Sequence, residues 1–117
     1  MSDIQMGAVE SRFADIVWKS VPIKTSELVK IAEREFSWKR TTTHTVIKRL
    51  CEKGLFVNNS GTITALMSRE QYYSMQSMRV VQESFDGSLP AFVAAFTSGR
   101  KLSPQEADEI RKIIEEG

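Results

Sequence analysis

Residues 25–56 read TSELVKIAEREFSWKRTTTHTVIKRLCEKGLF. Leu28, Ile31, Ala32 and Phe36 recur at helical spacing, with Thr25 placed as an N-cap and Glu27 in the positive first turn. The pattern breaks at Ser37-Trp38 and resumes in a second helical stretch that Gly54 ends. Two short helices joined by so tight a break form a helix-turn-helix, whose second helix enters a DNA groove.

At 100° per residue, Thr43, Val46, Ile47 and Leu50 share one arc of that second helix. Thr41, Thr45, Lys48 and Glu52 lie on the opposite arc, with His44 and Arg49 at its flanks. From Lys39 to Lys53 there are five basic residues against one acid, in a chain whose net charge is only +1. Thr is a mediocre helix former, so Thr41, Thr42, Thr43 and Thr45 do not serve helix stability. The candidate DNA-contacting set is therefore Lys39, Arg40, Thr41, Thr42, His44, Thr45, Lys48 and Arg49, groups that donate to phosphates and base edges. His44 reads equally as a solvated side chain and as a direct DNA contact.

Beyond Gly54, Leu55-Phe56-Val57 is a short apolar run, Asn58-Asn59-Ser60-Gly61 is turn chemistry, and Thr62-Ile63-Thr64-Ala65 alternates. A β-hairpin directly after a recognition helix is a wing. The sequence thus predicts a mostly α protein, with a winged helix-turn-helix of three helices and a small hairpin over residues 1–67. A helical dimerisation region follows over residues 68–117.

Three helices are expected there. Ser68 and Gln71 form a capping box ahead of Tyr72, Met75, Met78, Val81 and Phe85, and Gly87 closes the helix. Ser88 starts the next, carrying Leu89, Phe92, Val93 and Phe96 and ended at Gly99. Ser103-Pro104-Gln105-Glu106 starts the last, carrying Ile110, Ile113 and Ile114. So many apolar faces over so few residues require either packing on the winged module or pairing with a second copy. Pairing is favoured, because a two-fold dimer doubles the base contacts of a single module on a palindromic operator. The expected seam is Tyr72, Met75, Met78, Phe85, Leu89, Phe92, Val93, Phe96, Ile110, Ile113 and Ile114.

Charge divides the same way. Up to Met67 there are ten basic and seven acidic residues, and beyond it six basic and eight acidic. No stretch reaches membrane-spanning length and residues 1–20 lack a signal-peptide pattern, so a cytoplasmic protein is expected. Residues 1–8 carry no pattern and are expected to be disordered. The single cysteine, Cys51, excludes an internal disulfide and is read as an inert thiol. His44 and Cys51 stand seven apart on one helix, about 10 Å in rise, too far to share a proton. With no Gly-rich phosphate loop and no cluster of metal ligands, neither enzymatic activity nor a cofactor or metal is expected. Two function classes remain: a sequence-specific DNA-binding repressor, and a winged-helix module for protein contacts alone.

Ser37-Trp38, Thr42, Thr45, Ile47, Arg49-Leu50 and Lys53-Gly54-Leu55 resemble the W-S-P-K-T…T-L…R-L…K-G-L stretch of the BlaI/MecI penicillinase repressors, a group that includes the copper repressor CopY. Glu10 and Ile16-Val17-Trp18 resemble that family's first helix, E-W-E-V-M…W. Gly87-Ser88-Leu89, Phe92-Val93, Phe96, Leu102-Ser103 and Glu106 resemble its C-terminal part. The resemblance runs in order along nearly the whole chain. It implies a winged-helix repressor of double-stranded DNA operators that is a homodimer through its C-terminal helices, with a regulatory protease as a further partner.

The departures are specific. Lys39-Arg40 replace the Ser-Pro that usually starts the recognition helix, which moves the expected cap to Thr41. His44 stands where the family often has Lys or Arg, and the wing is short and uncharged. The Asn-Phe bond cleaved in the penicillinase branch aligns with Ala95-Phe96. The paired C-terminal cysteines of the copper branch are absent, so copper or zinc is not expected to release DNA. Altered-specificity proteolysis or an unidentified ligand remains as the inducing signal, with proteolysis favoured.

Overall fold

The computed structural model describes residues 6–117. Of the stretch expected to be disordered, residues 1–5 lie outside the described residues, and Ala8 already opens a helix. The order of elements is α1 (Ala8–Ser20), β1 (Ile23–Lys24), α2 (Thr25–Phe36), α3 (Arg40–Glu52), β2 (Phe56–Asn59), β3 (Thr62–Ala65), α4 (Arg69–Phe85), α5 (Leu89–Gly99) and α6 (Pro104–Glu116). This is the mostly helical, winged architecture the sequence predicts. The chain divides into two compact units with the boundary within the α4 sequence, one ending at Gln76 and the other running from Ser77 to Gly117.

The sheet departs from expectation. It has three strands in the order β1-β3-β2, all antiparallel, where a two-stranded hairpin was expected. Ile23 pairs with Ile63 and Lys24 with Thr62, so β3 is the central strand. The β2–β3 connection is two residues, Ser60 (φ 54°) and Gly61 (φ 94°), both left-handed as a tight hairpin turn between twisted strands requires.

The first unit is built on one core. Phe13, Ala14 and Val17 of α1 meet Leu28 and Ala32 of α2 and Val46, Ile47 and Leu50 of α3, all buried. Leu55, Phe56 and Ile63 close it from the wing, and Tyr72 from the start of α4. Ser37 ends α2 in the left-handed region (φ 56°), and its N–H donates to the Glu33 carbonyl at 3.0 Å. Behind it, Trp38 packs on Phe13 and Phe36 at ring separations of 5.1 and 4.9 Å. The aromatic break in the sequence thus sets the angle between α2 and α3.

In the second unit the helix starts are those expected. The Ser88 hydroxyl accepts from the Ala91 N–H at 3.1 Å, and Ser103 and Glu106 form a reciprocal capping box at 3.1 Å in each direction. Phe85 meets Phe92 edge to face at 5.6 Å. Among the described residues, none beyond Tyr72 is buried.

Candidate nucleic-acid interface

α3 presents the face its periodicity predicts. Thr43, Val46, Ile47 and Leu50 are buried, while Lys39, Arg40, Thr41, Thr42, His44, Thr45, Lys48 and Arg49 are all exposed. One expectation fails here: Thr41 does not cap the helix. The N-cap is Lys39, in extended conformation and without a side-chain cap bond, and Arg40 is already helical. α2 behaves alike, for Thr25 is its first residue and Lys24 its N-cap. The Thr25 N–H is satisfied instead by the Gly61 carbonyl, at 2.9 Å. A tertiary contact from the wing tip takes over the work of a local cap.

Hydroxyl geometry decides what the threonines can offer. Thr45 Oγ1 donates to the Thr41 carbonyl at 2.9 Å, so its proton is engaged and its lone pairs and methyl group face outward. Such a group accepts from a base amino group or packs on a thymine methyl. Thr43 instead turns inward, its hydroxyl donating to the Lys39 carbonyl at 3.4 Å.

Arg49 of α3 and Lys53, its C-cap, are committed elsewhere. Glu10 of α1 accepts from Arg49 Nη1 at 3.0 Å and from Lys53 Nζ at 2.9 Å. Burial alone would raise the Glu10 carboxyl, but the hydrogen bonds from Lys53 and Arg49, with their charges, outweigh it and hold it below the usual carboxylate range. Glu10 was no candidate from its residue type. Its signal was position: it precedes Phe13, Ala14 and Val17 at helical spacing, and an acid on a core-facing stripe requires a cationic partner.

The wing is polar and uncharged, with Asn58, Asn59 and Ser60 exposed and the Asn58 side chain accepting from the Gly61 N–H at 2.8 Å. Cys51 is half-buried, and burial, followed by the Glu52 charge, pushes its thiol up, away from a reactive thiolate. No group of three or more His, Cys, Asp or Glu that could hold a metal occurs among the described residues, and none of their helices is long and apolar enough to cross a membrane.

The expected dimer residues fall into three groups. Met75, Met78, Leu89, Val93, Phe96, Ile110, Ile113 and Ile114 are exposed, the last two at 69% and 72%. Phe85 and Phe92 are half-buried against each other. Tyr72 departs from the expected seam, because it is 2% exposed and packs on Trp18 at 5.9 Å in the core of the first unit. Its place in the capping-box helix was legible, but not that the first turn of α4 completes the winged module.

A helix-turn-helix followed by a hairpin, with a basic and threonine-rich helix turned outward, defines a winged-helix protein of the transcription-regulator class. The chain belongs to the penicillinase repressor family, whose profile matches residues 6–116. It is 27% identical over 116 residues to the penicillinase repressor of Bacillus licheniformis, covering 96% of this chain and 91% of that one. To the methicillin resistance regulatory protein MecI of Staphylococcus aureus it is 23% identical over 119 residues, covering 94% and 93%. The family is one of transcriptional repressors, not of enzymes.

Proposed function

We propose that this repressor binds a palindromic DNA operator in the cytoplasm as a homodimer, each protomer placing α3 in the major groove. The observation that carries this reading is the outward arc of α3, where Thr41, Thr45 and Lys48 are exposed, with exposed His44 and Arg49 at its flanks, on a helix anchored from behind by four buried residues. Lys39 and Arg40 at its entry meet phosphates, beside a first turn that no side chain caps. The second unit supplies pairing. It leaves large apolar side chains exposed on α4, α5 and α6, and a second copy is the partner that covers them symmetrically. A regulatory protease acting at Ala95-Phe96, inside α5, is the favoured inducing partner.

The test is a fluorescence titration of the full chain against a duplex selected from a randomised pool. Lys48→Ala and Thr45→Ala are each expected to weaken binding by about 1–3 kcal/mol. Unchanged affinity in both variants contradicts the assignment of α3 as the reading helix.

A further inference from the structure

Glu10 lies on α1 and not on the face assigned to DNA, yet it is bonded to that helix. Its side chain is 12% exposed and sits between two cations at the end of α3, with Lys53, the C-cap, 8% exposed and fixed on one side and Arg49 on the other. One carboxylate serves both ions, so together they leave a single positive charge at this end of α3. Lys53 is enclosed, and the remaining charge resides in Arg49, which keeps 53% of its side chain in solvent.

Arg49 is also placed sideways. On the helix it shares a flank with Lys53, one turn away, while Lys48 and Thr45 occupy the centre of the outward arc. Glu10 draws the guanidinium further round, toward α1. When a helix lies in a groove its central face meets base edges and its flanks meet the sugar-phosphate walls. An arginine free to swing inward would take a guanine edge, the commonest specific contact in DNA. An arginine held at the flank takes a phosphate.

We propose that Glu10 is a positioning residue that sets operator specificity: by tethering Arg49 toward α1 it makes Arg49 a phosphate clamp and leaves base reading to Thr41, Thr45 and Lys48 at the centre of the arc. This rests on the DNA-binding reading above. Glu10 also withholds one positive charge from the interface, which limits attraction to DNA of any sequence.

The experiment measures binding of the full chain and of Glu10→Gln to two duplexes, one selected by the wild-type protein and one of random sequence, across a salt series. With Arg49 already on a phosphate, the cation that Glu10→Gln releases is Lys53. One further phosphate neutralised adds about 0.9 to the logarithmic salt slope and raises random-duplex affinity by up to about eightfold near 0.1 M salt. The ratio of selected to random affinity is expected to fall by about two- to fivefold, as a mobile cation strengthens sequence-independent binding more than the fitted complex. A Glu10 that only offsets charge would change the slope alike on both duplexes and leave the ratio, and Glu10→Gln folded with the ratio unchanged overturns the proposal. Should Glu10→Gln fail to fold, Arg49→Gln decides: a salt slope flatter by about one with base preference intact at every operator position supports a phosphate clamp. Lost preference at one position shows a base contact and overturns it. Wild-type protein that binds no duplex defeats the DNA-binding reading itself, a different failure from wild-type binding with an unmoved ratio.

Discussion

The indole N–H of Trp18 donates to the backbone carbonyl of Met67 at 3.0 Å, joining α1 to the segment between the wing and α4. The same ring packs on Phe56 at 5.2 Å and on Tyr72 and Tyr73 at 5.9 and 6.3 Å. One side chain therefore fixes where the chain leaves the wing and where the following helix starts. Trp18→Phe keeps most of the packing and removes the donor, leaving a part-buried carbonyl unpaired. It is expected to cost about 1–2 kcal/mol of stability in denaturant unfolding. An unchanged midpoint and slope would show that the hydrogen bond contributes nothing net.

Tyr72, buried in the core of the first unit, is expected to set the shortest stable winged module. A fragment of residues 1–76 keeps this ring, and one of residues 1–67 loses it. Removing a buried aromatic costs about 3–5 kcal/mol, a large part of the stability of a small domain. The longer fragment is expected to unfold cooperatively as a monomer, and the shorter one to lack a cooperative transition at the same temperature. Equal stability of the two would remove Tyr72 from the core of the module.

Ile113 and Ile114 leave a strongly apolar edge on α6. The full chain is expected to sediment as a dimer at micromolar concentration, and Ile113→Asp with Ile114→Asp to sediment as a monomer that retains its helicity. A full chain that is monomeric at that concentration contradicts pairing through the second unit.

Glu106 is held down to about 2, first by its hydrogen bonds from Arg100 and then by the Ser103 N–H. A folded value below the ordinary 4.5 means that this contribution is fully present above 4.5 and is lost as pH falls from there toward 2. The pair stands half in solvent, so the effect is modest. In thermal melts from about pH 6 down to about pH 2, Glu106→Gln is expected to lose less stability than wild type over that window. Parallel curves would show that the ion pair does not contribute. Glu10 shifts in the same direction in both proteins, so the difference between them isolates Glu106.

Whatever depended on helical period was legible in the sequence. Thr43, Val46, Ile47 and Leu50 marked the buried arc of α3, and Ser68, Ser88 and Ser103 marked helix starts that rest on local hydrogen bonds. Features held by distant partners were not. β1 is only Ile23 and Lys24, and it is a strand because β3 lies beside it. Thr25 and Thr41 looked like caps, but chain entry at Lys24 and Lys39 and the Gly61 carbonyl settle those starts differently. The clamp on Arg49 was invisible for the same reason, since Glu10 stands 39 positions away.

Nuclease footprinting of the full chain on its selected duplex tests the central claim most directly. The expected result is protection of two half-sites related by a two-fold axis, their centres about one helical turn, or a whole number of turns, apart. Protection of a single unpaired half-site, or no distinct footprint at concentrations where random duplex is bound equally well, would contradict a dimeric, sequence-reading repressor.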